Sequence, residues 1–254
     1  MKFNYSFFIY FSSLIFSLLY GEEDFVSNIG QLEPYYGNEQ VVLIASPGRS
    51  GSTMLTDVIK KYAEYTVLKT HLLPPDSQYI GKILFIFSDP DKAAESVLHR
   101  VLISPSNGAT HFSHVETADQ KWFNQIGRNG HNQTEKHNLL AYDAMGCAKQ
   151  LREWLHKSVT PCHLDEAQIL AIKFEDLWDP ETVQMIKEFL KLKAFKLPSK
   201  RERGCDYEEL SSKEIAFKSL YNKGTNEEPK YRAYDRARKL WREAPSFQFL
   251  KLAH

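Results

Sequence analysis

Along most of this chain, short unbroken apolar runs alternate with stretches in which apolar residues recur every three to four positions. Val41 to Ile44 is an apolar run of the kind expected for a strand covered on both faces. From Met54 to Tyr62, the residues Met54, Leu55, Val58, Ile59 and Tyr62 share one helical face. Tyr65 to Leu68 is short and β-rich, and Lys82 to Phe87 predicts a buried strand. Asp91 to Val101 predicts a helix, with Asp89 as its N-cap and Pro90 in its first turn. Glu135 to Lys157 reads as a helix that offers Leu139, Leu140, Ala144, Leu151 and Leu155 to a core. Ala167 to Phe174 predicts a further strand, and Asp179-Pro180-Glu181 opens a helix that runs to about Leu192. Charged helical segments follow Pro198, with Trp241 as an anchor. Residues 25–40 read as a polar lead-in, and residues 105–134 as loop carrying Phe112, Trp122 and Phe123.

Strands that alternate with helices imply an α/β fold with a parallel sheet flanked by helices. Ligands of such sheets sit at the carboxyl ends of the strands. The segments 46–53, 69–71 and 88–90 all follow predicted strands, so they are expected on that edge. The 254 residues suffice for one large domain, taken here as 25–254.

The first residues stand apart. Lys2 precedes an apolar run from Phe7 to Tyr20, no charge occurs from Asn4 to Gly21, and Glu22, Glu23 and Asp24 follow. This suits a signal-peptide core with cleavage near Gly21. An uncleaved signal anchor is the alternative, because Asn4, Tyr5 and Ser6 extend a run otherwise short for a membrane span. Residues 1–24 are therefore set apart, and a secretory-pathway, Golgi or secreted location is expected. The sequon Asn132-Gln133-Thr134 bears on glycosylation only in that setting. There, two of Cys147, Cys162 and Cys205 would be able to pair. No C-x-x-C spacing exists, so no metal site is expected. Lys plus Arg and Asp plus Glu both number 32, so composition gives a general nucleic-acid binder no support.

The most informative stretch is Ser46-Pro47-Gly48-Arg49-Ser50-Gly51-Ser52-Thr53, between a strand and a helix start. There, backbone N–H groups and the helix dipole make an anion site. Arg49 adds a fixed cation, and Ser50, Ser52 and Thr53 add hydroxyls. The loop is not the G-x-x-x-x-G-K-[ST] of kinases and ATPases, since Ser52 follows Gly51 and Ser46 stands in the first glycine's place.

The order basic-Ser-Gly-Ser-Thr after a strand resembles the 5′-phosphosulfate loop of sulfotransferases that use 3′-phosphoadenosine 5′-phosphosulfate. Lys69-Thr70-His71-Leu72 resembles their Lys-Thr-His-Leu-Pro signature, in which the lysine touches the transferring group and the histidine is the general base. Ile86-Phe87-Ser88-Asp89-Pro90 through Ser96 resembles the segment that holds the 3′-phosphate, and Lys173-Phe174-Glu175-Asp176-Leu177 resembles the Tyr-Glu-Asp-Leu strand end. The segments occur in family order over about residues 41 to 192. The resemblance implies a P-loop, nucleoside-kinase-like three-layer sandwich. It implies Arg49, Lys69 and His71 as catalytic residues. For the donor it implies Arg49, Ser50, Gly51, Ser52, Thr53, Ser88, Ser96, Arg100 and Lys223. Ser88 stands where the family has an arginine, eight positions before Ser96, and Arg100 lies one turn past Ser96 as a substitute. Asn222-Lys223-Gly224 resembles a late Arg-Lys-Gly turn, with Asn in the arginine's place. The span from Arg49 to His71 is shorter than in the cytosolic enzymes, so their acceptor does not carry over.

Sulfuryl transfer builds negative charge on the bridging oxygen of the leaving phosphate, which Arg49, Lys69 and the amides of Ser50 to Thr53 would stabilise. His71 would take the acceptor's proton, and a carboxylate is the alternative base. The expected acceptor is a hydroxyl, with carbohydrate favoured by the translocation signal, since the resemblance implies sugars or tyrosines as acceptors of translocated members. Phe174-Glu175-Asp176 reads as an acidic loop end that caps the following helix, and Trp122 and Phe123 read as core, with stacking on an acceptor as the alternative. Two rival functions remain. A nucleotide or metabolite kinase would need ATP and magnesium. A non-catalytic binding protein with a decayed sulfotransferase fold is suggested by Ser88.

Overall fold

A computed structural model of the protein describes residues 24–76, 78–103, 113–122, 138–200 and 212–253. The apolar N-terminal run, the sequon, Phe112, Phe123 and Cys205 lie outside the described residues.

Seven strands form one sheet: β1 (Phe25–Val26), β2 (Val41–Ala45), β3 (Thr66–Thr70), β4 (Lys82–Phe87), β5 (Val159–Pro161), β6 (Ile169–Lys173) and β7 (Phe247–Leu252). Their spatial order is β1-β3-β2-β4-β6-β7-β5. Neighbours from β1 to β6 pair in parallel, while β7 runs antiparallel to both β6 and β5. The period-two alternation of strand side chains divides the core in two. Leu43, Ile83, Phe85 and Phe87 join one cluster, and Val42, Ile44, Leu84 and Ile86 join the other.

Helices cover both faces. On one, α1 (Ser52–Tyr62) supplies Leu55 and Ile59, and α4 (Pro180–Phe189) supplies Ile186 and Phe189. On the other, α2 (Pro90–Ile103) supplies Ala94, Val97 and Leu98, and α3 (Cys147–Arg152) supplies Leu151. Trp154 stacks on Phe85 with ring centroids 4.8 Å apart. Helices α5 (Ser212–Tyr221) and α6 (Asp235–Glu243) complete that side. The architecture is a mostly parallel α/β sheet flanked by helices, laid out in three layers.

The start of α2 is held from the far end of the chain. Asp89 caps it, accepting from the N–H of Asp91 at 2.9 Å. Asp91, fully buried, receives the Arg238 guanidinium through Nε at 2.6 Å and Nη2 at 2.8 Å, and the Tyr231 N–H at 2.7 Å. A buried charge needs such a partner, and the forked contact satisfies both carboxylate oxygens.

Several elements differ from expectation. The helix expected over 135–157 reduces, within the described residues, to α3 and a π-helical turn, Glu153–Lys157. Gly146 explains the late start. Its φ is +67°, and a Cβ there would lie 2.7 Å from the Thr117 carbonyl oxygen. Asp143 then accepts the N–H groups of Cys147 and Ala148 at 2.9 and 3.0 Å. Leu139, Leu140 and Ala144 are buried all the same. Residues 25–40, expected as a lead-in, contain β1 and a 3-10 helix, Ile29–Tyr35, that buries Leu32. β7 lies where charged helical segments were expected. β3 extends to Thr70, because the Thr70 hydroxyl donates to the Val26 carbonyl at 2.9 Å and so completes an edge strand. Trp122 is core, as expected.

Candidate anion-binding and transfer site

Four connections leave the sheet at the carboxyl ends of β2, β3, β4 and β6, and the candidate residues lie on them. The β2–α1 loop carries three positive φ angles: Gly48 at 98°, Arg49 at 55° and Gly51 at 77°. Ser50 between them keeps a negative φ. Alternation of this kind turns successive N–H groups toward one concavity, an anion nest. α1 starts at Gly51 with no side chain capping its first turn, so its N-terminal amides also face that concavity. Gly51 has a second reason to be glycine. A Cβ there would lie 2.3 Å from the Phe174 ring, which walls the loop from the end of β6. Gly51→Ala is expected to cost about 1–3 kcal/mol of stability, measurable by chemical denaturation, through strain and overpacking.

The loop's side chains divide the work. The Ser50 hydroxyl donates to the Gly48 carbonyl at 3.2 Å and lies 3.1 Å from the Ser88 hydroxyl. It braces the loop, leaving the Ser50 N–H as its ligand-facing group, and Ser88 serves as part of that brace. Ser52 is buried. Arg49 reaches across to α2, where its Nε donates to the Ser96 hydroxyl at 3.0 Å. Lys69 Nζ donates to the Thr53 hydroxyl at 2.8 Å, which places a second cation at the mouth of α1. Arg49, Ser96, Lys69 and Thr53 thus meet around one loop. Arg100 and Lys223 do not join them. Both are exposed, and no hydrogen bond links either side chain to the loop among the described residues. Lys223 sits on a turn in which Asn222 Oδ1 accepts the N–H groups of Gly224 and Lys230 at 2.8 and 2.9 Å.

His71 follows β3 directly. Its Nδ1 lies 2.9 Å from the Ser46 carbonyl oxygen, which only accepts, so Nδ1 carries the proton and Nε2 the lone pair. The Ser46 hydroxyl lies 3.1 Å from the same nitrogen and also accepts the Gly48 N–H at 3.3 Å. One serine therefore joins the imidazole to the anion loop. His71 is only 5% exposed. Burial first, and then the neighbouring Lys69 charge, lower its pKa to about 3, against a weaker opposite effect from the Ser46 carbonyl.

This has a consequence for stability. In the unfolded chain His71 takes up a proton as pH falls through about 6.5, while the folded protein resists until about 3. The unfolded state therefore binds more protons in that window, and stability falls as pH falls from 6.5 toward 3. His71→Gln is expected to reduce that fall by up to about 1.4 kcal/mol per pH unit, read from denaturant midpoints at a series of pH values.

The segment that carries His71 is pinned from α3 and the turn after it. Gln150 Nε2 donates to the His71 carbonyl at 2.8 Å, and Trp154 Nε1 donates to the Leu72 carbonyl at 3.1 Å. Trp154→Phe should cost about 1 kcal/mol in denaturation, since it leaves a buried carbonyl unpaired while keeping the stack on Phe85. Phe25 on β1 meets His71 edge-on with centroids 5.4 Å apart, and Lys69 Nζ lies 5.4 Å from the Phe25 ring centre. On the β6 side, Glu175 accepts the Asp89 N–H at 3.0 Å. It therefore supports the start of α2, not the following helix, whose N-cap Asp179 makes no side-chain capping bond.

Sequence reasoning missed Ser46, Phe25 and Gln150 as contributors. Gln150 alone had a local signal, a polar residue among the apolar positions Cys147, Leu151 and Trp154. No protein-family model matches this chain, and no curated protein matches it.

Proposed function

We propose that the protein is a sulfotransferase of P-loop-like α/β architecture. It moves a sulfuryl group from 3′-phosphoadenosine 5′-phosphosulfate to an acceptor hydroxyl. The observation that carries this reading is the joint geometry of the β2–α1 loop and the end of β3. An anion nest is flanked by Arg49 and Lys69, and through Ser46 it shares a hydrogen-bond network with His71. The donor's chemistry fits the residues present. The nest and the open N-terminus of α1 suit the phosphosulfate, and Arg49 and Lys69 suit the charge that develops on the leaving oxygen. Arg49, extended to Ser96, also brings a guanidinium to the stretch of α2 expected to hold the 3′-phosphate, where Ser88 offers none. His71, with its lone pair on Nε2, is the proton acceptor. The translocation signal at the N-terminus favours action in a secretory compartment supplied with donor.

The test is calorimetric titration of the protein with adenosine 3′,5′-bisphosphate, with ATP plus magnesium as the control. Micromolar binding of the bisphosphate with much weaker ATP is expected. No bisphosphate binding by a folded protein would favour a non-catalytic role, and a preference for ATP would favour a kinase.

A further inference from the structure

Ser46 stands where the anion loop and the imidazole meet, and its polar groups are not equally fixed. It is fully buried. Its N–H donates to the Thr70 carbonyl at 3.2 Å, which ties it to the end of β3 just before His71. Its carbonyl takes the Nδ1–H of His71 at 2.9 Å. Both backbone groups are held in this way, and the hydroxyl is the group left able to turn.

Two donors share that hydroxyl oxygen. One is the same Nδ1–H, at 3.1 Å, and the other is the Gly48 N–H, at 3.3 Å. A hydroxyl has two lone pairs, so both fit, but each donor weakens the oxygen's hold on the other. The Gly48 bond is the looser one, since it exceeds the roughly 3.2 Å usual for N–H···O. Gly48 also has a φ of 98°, in the loop whose N–H groups turn toward the anion concavity. A charged oxygen accepts an N–H about twice as strongly as a neutral one, so a bound anion competes well for this donor.

We propose that Ser46 is a positioning residue that couples the loop to the base: an anion seated in the loop draws the Gly48 N–H from the Ser46 hydroxyl, and the released hydroxyl tightens on the Nδ1–H of His71. This rests on the reading above, in which the loop takes the phosphosulfate and His71 takes the acceptor's proton. A stronger acceptor at Nδ1–H makes the lone pair on Nε2 more basic.

The surroundings of His71 give such a coupling a purpose. With the loop empty, burial first and then Lys69, with smaller effects of His114 and Arg49, lower its pKa to about 3, against the Ser46 carbonyl. The remaining neighbours are not tied to the loop. Gln150 is neutral and binds the His71 carbonyl, and the Glu116 carboxylate accepts the Leu73 N–H at 2.7 Å. An anion beside Lys69 and Arg49 offsets their charges, and the Ser46 hydroxyl adds its share. The imidazole then becomes a competent base when the donor is in place, so a proton is withdrawn only when a sulfuryl group is there to be attacked.

The full-length protein with isotope-labelled histidine would be followed by heteronuclear NMR, with the His71 signals identified by their loss in His71→Asn. The probes are adenosine 3′,5′-bisphosphate and inorganic sulfate. Either anion should slow solvent exchange of the Nδ1–H by about three- to tenfold, the worth of one strengthened hydrogen bond. In S46A the slowing should disappear while anion affinity stays within about threefold, and S46T should restore it. The Nε2 resonance reports the charge of the ligand and should move in both proteins. S46G replaces S46A if the alanine variant does not fold. Equal slowing without the hydroxyl would overturn the proposal, as would an unchanged Nδ1–H in the wild-type protein at saturating anion. Sulfate binding with the full response, but no bisphosphate binding, would remove the donor reading and keep the coupling. Failure of both anions to bind would remove the anion loop and the coupling with it.

Discussion

Alanine in place of Arg49 is expected to lower turnover by about 10²–10³ or more, the scale seen when a group that stabilises developing charge is removed. Two losses combine. The cation beside the leaving oxygen disappears, and the Ser96 hydroxyl loses the Nε donor that ties α2 to the loop. Bisphosphate affinity should fall as well, because the side chain spans from the nest to α2. Glycine is the more telling substitution. Arg49 is held at a φ of +55°, a left-handed conformation that costs a branched Cα about 1–2 kcal/mol and costs glycine almost nothing. Arg49→Gly should therefore keep or raise the denaturation midpoint while turnover collapses. A variant that lost stability and turnover together would mean that Arg49 holds the loop's shape and does not act on the ligand. Wild-type turnover in either variant would remove the loop from the mechanism.

Loss of the His71 imidazole is expected to cut turnover by about 10²–10⁴, the usual contribution of a positioned general base, with bisphosphate binding retained. Asparagine separates chemistry from scaffolding. Its amide N–H can replace Nδ1 as donor to the Ser46 carbonyl, but it supplies no basic nitrogen at the Nε2 position. His71→Asn should thus fold and bind bisphosphate while turnover falls as far as in His71→Ala. Equal loss of donor affinity in both variants would make His71 a binding residue. Retained turnover in the asparagine variant would pass the proton to another group, with the exposed Glu116 a carboxylate to examine.

The parts of the fold that could be read in advance are those whose cause is local. The run from Val41 to Ile44, the loop glycines and the helical spacing from Met54 onward determine one another within a short stretch, and the structure follows them closely. Asp89 and Pro90 likewise announced the start of α2. Elements that depend on distant partners were hidden. Phe247 to Leu252 becomes a strand because β6 and β5 leave a place for it, which no neighbouring residue reveals. The helical spacing over 135–157 was real, but Gly146 packed against Thr117 delays the helix, and that contact lies far back in the chain. The candidate site shows the same division. Arg49, Lys69, His71, Thr53 and Ser96 were visible as motif residues, whereas which of them pair, and the part Ser46 takes, is assigned only by the way the sheet edge folds together.

Arg238 grips Asp91 across 147 positions of sequence. Among the described residues β5 pairs only with β7, so the sheet too waits for a segment made late. Arg49, Lys69, His71 and Ser96 are all translated before position 100, yet the helix bearing Ser96 is clamped by a helix made much later. A nascent chain should therefore carry these four residues and still be inert. Closure over so long a loop also slows folding relative to a protein built from local contacts. Competence should arrive late and all at once, only when Arg238 and β7 have joined the fold, so that a chain crossing a membrane during synthesis would reach the far side before it could act on anything.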